Sequence, residues 1–155
     1  MELTLRFATI RDIDTYFEWA NDEEVRKNSF HSDAISYENH VAWFKNKLLN
    51  PDSFLYFFTC NQQVVGQVRI EVLKSETIIG ISVDKNFRGK SLSTPMLQLA
   101  ASVFFEYHPQ KQITAYIKQE NISSYKSFKN AGFEEKEMVI ENGFKSYKLI
   151  KTNGK

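Results

Sequence analysis

Between Phe54 and Val83 the chain carries three strand-like segments with no room for a helix between them. Phe54–Thr59 is an aromatic run, Val64–Leu73 follows the turn at Asn61–Gln63, and Thr77–Val83 begins only a few residues later. A parallel neighbour needs a crossover of about a dozen residues or more, so these strands must run antiparallel, as a meander. An alternating βα nucleotide-binding chain is therefore excluded.

The flanking segments complete the pattern. Leu3–Ala8 alternates Leu3, Leu5 and Phe7 with polar residues, as a half-buried first strand does. Asp12 is placed to cap a helix at Ile13–Ala20, where Ile13, Tyr16, Phe17 and Ala20 recur at helical spacing. Ser36 opens a second helix, whose Glu38–Leu49 stretch repeats Val41, Phe44 and Leu48 before Pro51 ends it. Beyond the meander, Leu92–Glu106 is helical, Gln112–Ile117 alternates as a strand, and Ile122–Asn130 is a helix stopped by Gly132. Phe133–Ile140 and Phe144–Ile150 flank Asn142-Gly143, a two-residue hairpin signal. The order β-α-α-β-β-β-α-β-α-β-β describes an α+β fold with a mixed, mostly antiparallel central sheet flanked by helices. With no repeat or linker, residues 1–155 read as a single domain.

Composition narrows the function classes. Lys plus Arg number 20 against 19 Asp plus Glu, so no overall field favours nucleic acid, and a polyanionic ligand must be held by local geometry. Cys60 is the only cysteine and lies in an aromatic strand, which predicts a buried thiol and a reducing compartment. His31, His40 and His108 lack metal-ligand spacing, so no metal is expected. The N-terminal segment is charged and no apolar run approaches the roughly 18 residues that span a bilayer, which predicts a cytoplasmic protein with no membrane partner.

The chemistry concentrates after Val83. Strand Thr77–Val83 passes through a turn into the helix at Leu92, and such a junction offers unpaired N–H groups at the positive end of a helix. The turn reads Arg88-Gly89-Lys90-Ser91-Leu92-Ser93, with two cations and small residues that let a pyrophosphate approach the backbone. A solvated loop capped by Ser91 or Ser93 is the plainer reading. Neither the P-loop spacing nor G-x-G-x-x-G is present.

A second pattern resolves the choice. Asn121-Ile122-Ser123-Ser124-Tyr125-Lys126-Ser127-Phe128-Lys129-Asn130-Ala131-Gly132-Phe133 resembles the GNAT pattern N-x-x-[AS]-x-x-x-[YF]-x-x-x-G-F at every defined position. The turn at Arg88 resembles that family's [QR]-x-x-G-x-[GA], with Ser91 and Ser93 in place of the later small residues. The resemblance implies a GNAT fold and an acetyl-CoA-dependent N-acetyltransferase. The co-substrate would lie in a V-shaped gap between the strand before the turn and the strand after the next helix. Backbone groups of Ile81, Ser82 and Val83 would bond the pantetheine, Arg88 to Ser93 the pyrophosphate, and Asn121 the pantetheine bend. Ile79, Ile81 and Val83 share one strand face, Ile78, Gly80 and Ser82 the other; the small Gly80 and Ser82 leave room for a ligand or a packed helix.

In many relatives a tyrosine at the position of Phe128 protonates the leaving thiolate. Phe128 would lie near the sulfur but cannot donate, which leaves Tyr125, one turn earlier, as a substitute acid or an ordinary packing residue. It also keeps open a catalytically silent acyl-CoA-binding module. Gln67, Arg69 and Glu71 share one strand face, either a wet cleft or a solvent-facing edge, and Glu71 is the candidate base.

For the acceptor, the segment Phe17–Phe30, Gln67-Val68-Arg69-Ile70 and His40-x-x-Trp43-Phe44 resemble bacterial GNATs that acetylate nucleotide-linked amino sugars. Ribosomal-protein N-terminal acetyltransferases share a related W-x-N-D-x-x-V segment. The first resemblance implies a small-molecule acceptor whose diphosphate is clamped by Arg26 and Arg69, with Trp19, Phe30 or Trp43 stacking on a base or sugar. At least one of Trp19 and Trp43 is expected to be buried, and a homodimer is left open.

Overall fold

In the computed structural model, which describes residues 2–154, the meander forms as β2 (Ser53–Cys60), β3 (Gln63–Val72) and β4 (Thr77–Val83), each antiparallel to the last. β1 (Leu3–Phe7) adds to the free side of β2. Helix α4 (Ser93–Tyr107) makes the crossover, so β5 (Gln112–Lys118) runs parallel to β4. After α5 (Ile122–Asn130) come β6 (Glu134–Glu141) and β7 (Phe144–Thr152), with β7 inserted between β5 and β6. The seven strands make one mixed sheet.

Strand alternation divides the core. On one face Tyr56, Phe58, Val68 and Ile70 pack with Met96, Leu97 and Phe104 of α4 and Phe128 of α5. On the other, Leu55 and Phe57 pack with Tyr16 and Trp19 of α1 (Ile13–Ala20) and Phe44 of α3 (Tyr37–Leu49). Phe44, Phe58 and Phe104 are fully buried, and each such side chain stabilises the fold by about 1.5–3 kcal/mol relative to exposure. Cys60 is buried in the first cluster. Trp19 is buried and Trp43 half-buried, and Ser36 caps α3 by accepting from the Asn39 amide.

Two local expectations are corrected. Asp12 does not cap α1: its carboxylate accepts two bonds from Arg6 at 2.8 Å and one from the Thr9 amide, closing a short 3₁₀ turn instead. A further helix, α2 (Glu23–Asn28), follows α1, capped by Asp22. No helix among the described residues is long and apolar enough to cross a membrane.

Candidate active site

The sheet is split at its centre. β4 and β5 pair only at Thr77–Ile113 and Ile78–Thr114, and beyond that point they separate. A cavity of about 790 Å³ occupies the gap. Its walls include Ile79, Ile81 and Val83 as well as Gly80 and Ser82, which point to opposite faces of β4. The cavity therefore passes through the sheet, connecting the α4–α5 side with the α1–α3 side.

On the α4–α5 side lies the turn after β4. Asp84 accepts from the Asn86 amide, a 3₁₀ turn spans Lys85–Phe87, and Gly89 and Ser91 both adopt left-handed backbone, at φ 75° and 59°. Ser91 thus holds a conformation that glycine takes without strain, in a segment matching a glycine position of the family pattern. Helix α4 starts with no side-chain cap, so neither Ser91 nor Ser93 occupies its first amides, and these remain for an anion. Arg88 and Ser93 line the cavity, while Leu92 is buried beneath the turn. The Arg88 guanidinium, however, is engaged by Asp22, the cap of α2, and by Glu24 within that helix. Lys90 is exposed and, among the described residues, in no ion pair, so it and the turn's backbone amides remain for an anion.

Asn121 caps α5 by accepting from the Ser124 amide at 3.3 Å, and Asn121, Ser124 and Phe128 all line the cavity. Phe128 is 3% exposed and packs edge-on against Phe133.

On the α1–α3 side, register places Gln67 opposite Ser82 and Arg69 opposite Gly80, all in the cavity wall. Gln67 donates to the Ser82 hydroxyl at 3.1 Å. Arg69 lies over the Trp43 ring at 5.1 Å, and its Nε sits 3.1 Å from Glu71. Trp19 donates to Asp84 at 2.9 Å, which ties α1 to the end of β4. Arg26 donates to the carbonyl oxygens of His31 and Asp33, stapling the loop over residues 29–35 against the cavity, and burial lowers its pKa. A Cβ built on Gly80 would meet nothing within 4 Å among the described residues.

The structure places the candidate acid and the candidate base outside the cavity wall. Tyr125 is not in the cavity wall: its hydroxyl donates to Glu135 and its ring packs on Tyr147 at 4.3 Å, so it closes α5 onto the β6–β7 hairpin. Glu71 also lies outside the wall, held by Lys47 and Arg69 and accepting from Ser53. Burial alone would raise its pKa, but the bond from Lys47 and the charges of both cations bring it below the ordinary 4.5, the wrong direction for a base. Its carboxylate holds the Arg69 Nε. Two residues that matter were overlooked, Asp22 and Asp84. Asp22-Glu23-Glu24 is a helix-start signature, an N-cap followed by acids, whereas nothing local points from Asp84 to Trp19.

Comparison with known proteins agrees with this architecture. Residues 2–134 match the family model for the acetyltransferase (GNAT) domain. Among solved structures, AAC(6')-Ib with ribostamycin and coenzyme A has a TM-score of 0.85 at 17% identity, over 98% of this chain and 94% of that one. Spermidine N-acetyltransferase from Vibrio cholerae, with CoA and spermine, gives 0.84 at 15% identity over 96% and 93%. RimL, a ribosomal L7/L12 alpha-N-protein acetyltransferase with coenzyme A, gives 0.82 at 14% over 97% and 94%. At these identities the likeness is one of fold. No curated protein sequence matches the chain. The family match over most of the chain, on a sheet split between β4 and β5, establishes that the chain belongs to the GNAT acetyltransferase family.

Proposed function

We propose that this GNAT acetyltransferase, which takes acetyl-CoA as its acyl donor, acetylates a primary amine on a nucleotide-linked amino sugar. The observation that carries this reading is Arg69, laid over Trp43, steadied by Glu71 and forming part of the cavity wall. Its Nε is engaged, which leaves the terminal amino groups for a phosphate or carboxylate. Arg26 adds a second guanidinium to the same wall. A polycation such as spermine would meet both positive charges, whereas an acceptor bearing a diphosphate gains from them.

In the reaction a neutral amine attacks the thioester carbonyl; the C–N bond forms, the C–S bond breaks, and the amine proton leaves to solvent or to the departing sulfur. The chain's contribution is alignment. The turn at residues 88–93 and the first amides of α4 suit the pyrophosphate, the unpaired length of β4 suits the pantetheine, and Phe128 keeps that region dry. Phe128 cannot donate a proton and Tyr125 lies elsewhere, so a good leaving group is assumed rather than an acid.

Thiol release from acetyl-CoA, measured with UDP- and dTDP-linked amino sugars, free hexosamines, spermine and short peptides, tests the reading. Turnover confined to sugar nucleotides is the expected result. Turnover confined to peptides would instead identify a protein N-terminal acetyltransferase, and acetyl-CoA binding without turnover a silent module.

A further inference from the structure

Two glycines on adjacent strands differ in what requires them. At Gly66 on β3 a Cβ would collide with the Ser82 carbonyl oxygen and come 2.9 Å from Met96 Cε, so the β4 backbone, with α4 above it, excludes any side chain. Gly80 has no such cause. It sits in the middle of β4, where glycine weakens a strand. A Cβ built there meets nothing within 4 Å, and its backbone lies outside the left-handed region. It faces the cavity on the α1–α3 side, directly across from Arg69. Its pairing with β3 runs without a register shift, so it marks no bulge, and neither packing nor a left-handed backbone requires it; close approach of another molecule is the reason for a strand glycine that fits.

We infer that Gly80 is the specificity-determining position of the acceptor site. The space above it seats the ring that carries the reacting amine, against the β4 backbone, with Arg69 beside it for the anionic part. The identity of the ring rests on the sugar-nucleotide reading; the open space over Gly80 does not. Any side chain at position 80 would lift the ring by roughly the length of a carbon–carbon bond, about 1.5 Å, and a misplacement of about 1 Å costs on the order of a hundredfold in rate.

Gly80→Ala and Gly80→Val test this. The expected result is melting temperatures at or above wild type and an unchanged acetyl-CoA Kd by calorimetry. Alongside these, kcat/KM for the sugar nucleotide falls about a hundredfold in the Ala variant and further in the Val variant. Gly80→Val acetylating the sugar nucleotide at the wild-type rate would overturn the ring seat alone. A loss of acetyl-CoA affinity matching the loss of activity would overturn it too, because the space would then belong to the donor. Wild-type enzyme that acetylates peptides and no sugar nucleotide removes the sugar-nucleotide reading, and the ring seat falls with it.

Discussion

The Arg88 guanidinium lies 2.5 Å from the Asp22 carboxylate, so the turn after β4 grips the start of α2. Glu24 adds a second contact at 2.9 Å. Asp22 also caps α2, accepting from the amides of Glu24 and Val25 at 3.1 and 3.2 Å. Burial works against its charge, yet the bond from Arg88 and these amides hold its pKa below the ordinary value. Because α2 leads into the loop over residues 29–35, one carboxylate joins the turn suited to pyrophosphate to the wall suited to the acceptor.

Removing that carboxylate should be felt on both sides. Asp22→Ala loses the cap, worth about 1 kcal/mol, and leaves Arg88 with Glu24 alone. A lower melting temperature and a raised acceptor KM are expected. Asp22→Asn keeps a capping oxygen and should recover most of the stability while the KM defect persists. Recovery of both together would show that the cap alone matters.

Ser93 offers a cleaner separation of stability from binding. It begins α4, where an acid is favoured by the helix dipole by about 0.3–1 kcal/mol. Ser93→Asp should therefore hold or raise the melting temperature while strongly raising the acetyl-CoA KM, since it places an anion where the pyrophosphate is to sit. Ser91→Asp should raise KM as well. Unchanged acetyl-CoA affinity in both, with the fold intact, would remove the turn from the cofactor site.

Tyr125→Phe should leave kcat within about twofold, far from the 10²–10⁴-fold loss typical of a general acid. Its hydroxyl serves Glu135 and its ring Tyr147, so any effect belongs to stability. A hundredfold fall in kcat with an unchanged melting temperature would return Tyr125 to the mechanism.

Glu71 sets a pH dependence of stability. Its pKa is lower in the folded than in the unfolded chain, so the unfolded state binds the proton first as pH falls. The stabilisation is complete above the ordinary 4.5 and is lost as pH drops through the lower folded value. Glu71→Gln should cost roughly 2 kcal/mol at pH 7, as loss of a charge-assisted bond does, and should flatten the acid limb of the stability profile below the ordinary 4.5. An acid limb identical to wild type would mean that other carboxylates, such as Asp12, carry it.

The order of strands, the turn at Arg88 and the Asn121 pattern were legible because each is written in contiguous residues. Which member of a face reaches the cavity was not. Arg69 and Glu71 alternate identically on β3, but Lys47 of α3 reaches Glu71, and only the path of α3 across the sheet decides that. Tyr125 and Phe128 are one turn apart on α5, yet one meets the β6–β7 hairpin and the other the cavity. Helix α2 escaped notice because six mostly polar residues carry no apolar period.

Arg26 and Arg69 both stand in the cavity wall, but they are held differently and should respond differently to loss. Arg26 donates to the His31 and Asp33 carbonyls, so Arg26→Ala frees the loop and should raise the acceptor KM together with the loop's susceptibility to proteolysis. Arg69 has Trp43 beneath it and Glu71 behind it, both contacts between side chains. Arg69→Ala should raise KM for a sugar nucleotide by at least tenfold, as loss of about 1.4 kcal/mol of charge-assisted bonding requires, and leave acetyl-CoA Kd and proteolysis unchanged. Arg69→Lys keeps the charge but loses the planar fork and the flat contact with Trp43, so it should recover only part of the loss. Removing the phosphates is the control: a free amino sugar should show the same KM with wild type and Arg69→Ala. An equal penalty for free sugar and sugar nucleotide would mean that Arg69 shapes the wall without reading an anion, and the nucleotide-linked acceptor would lose its support.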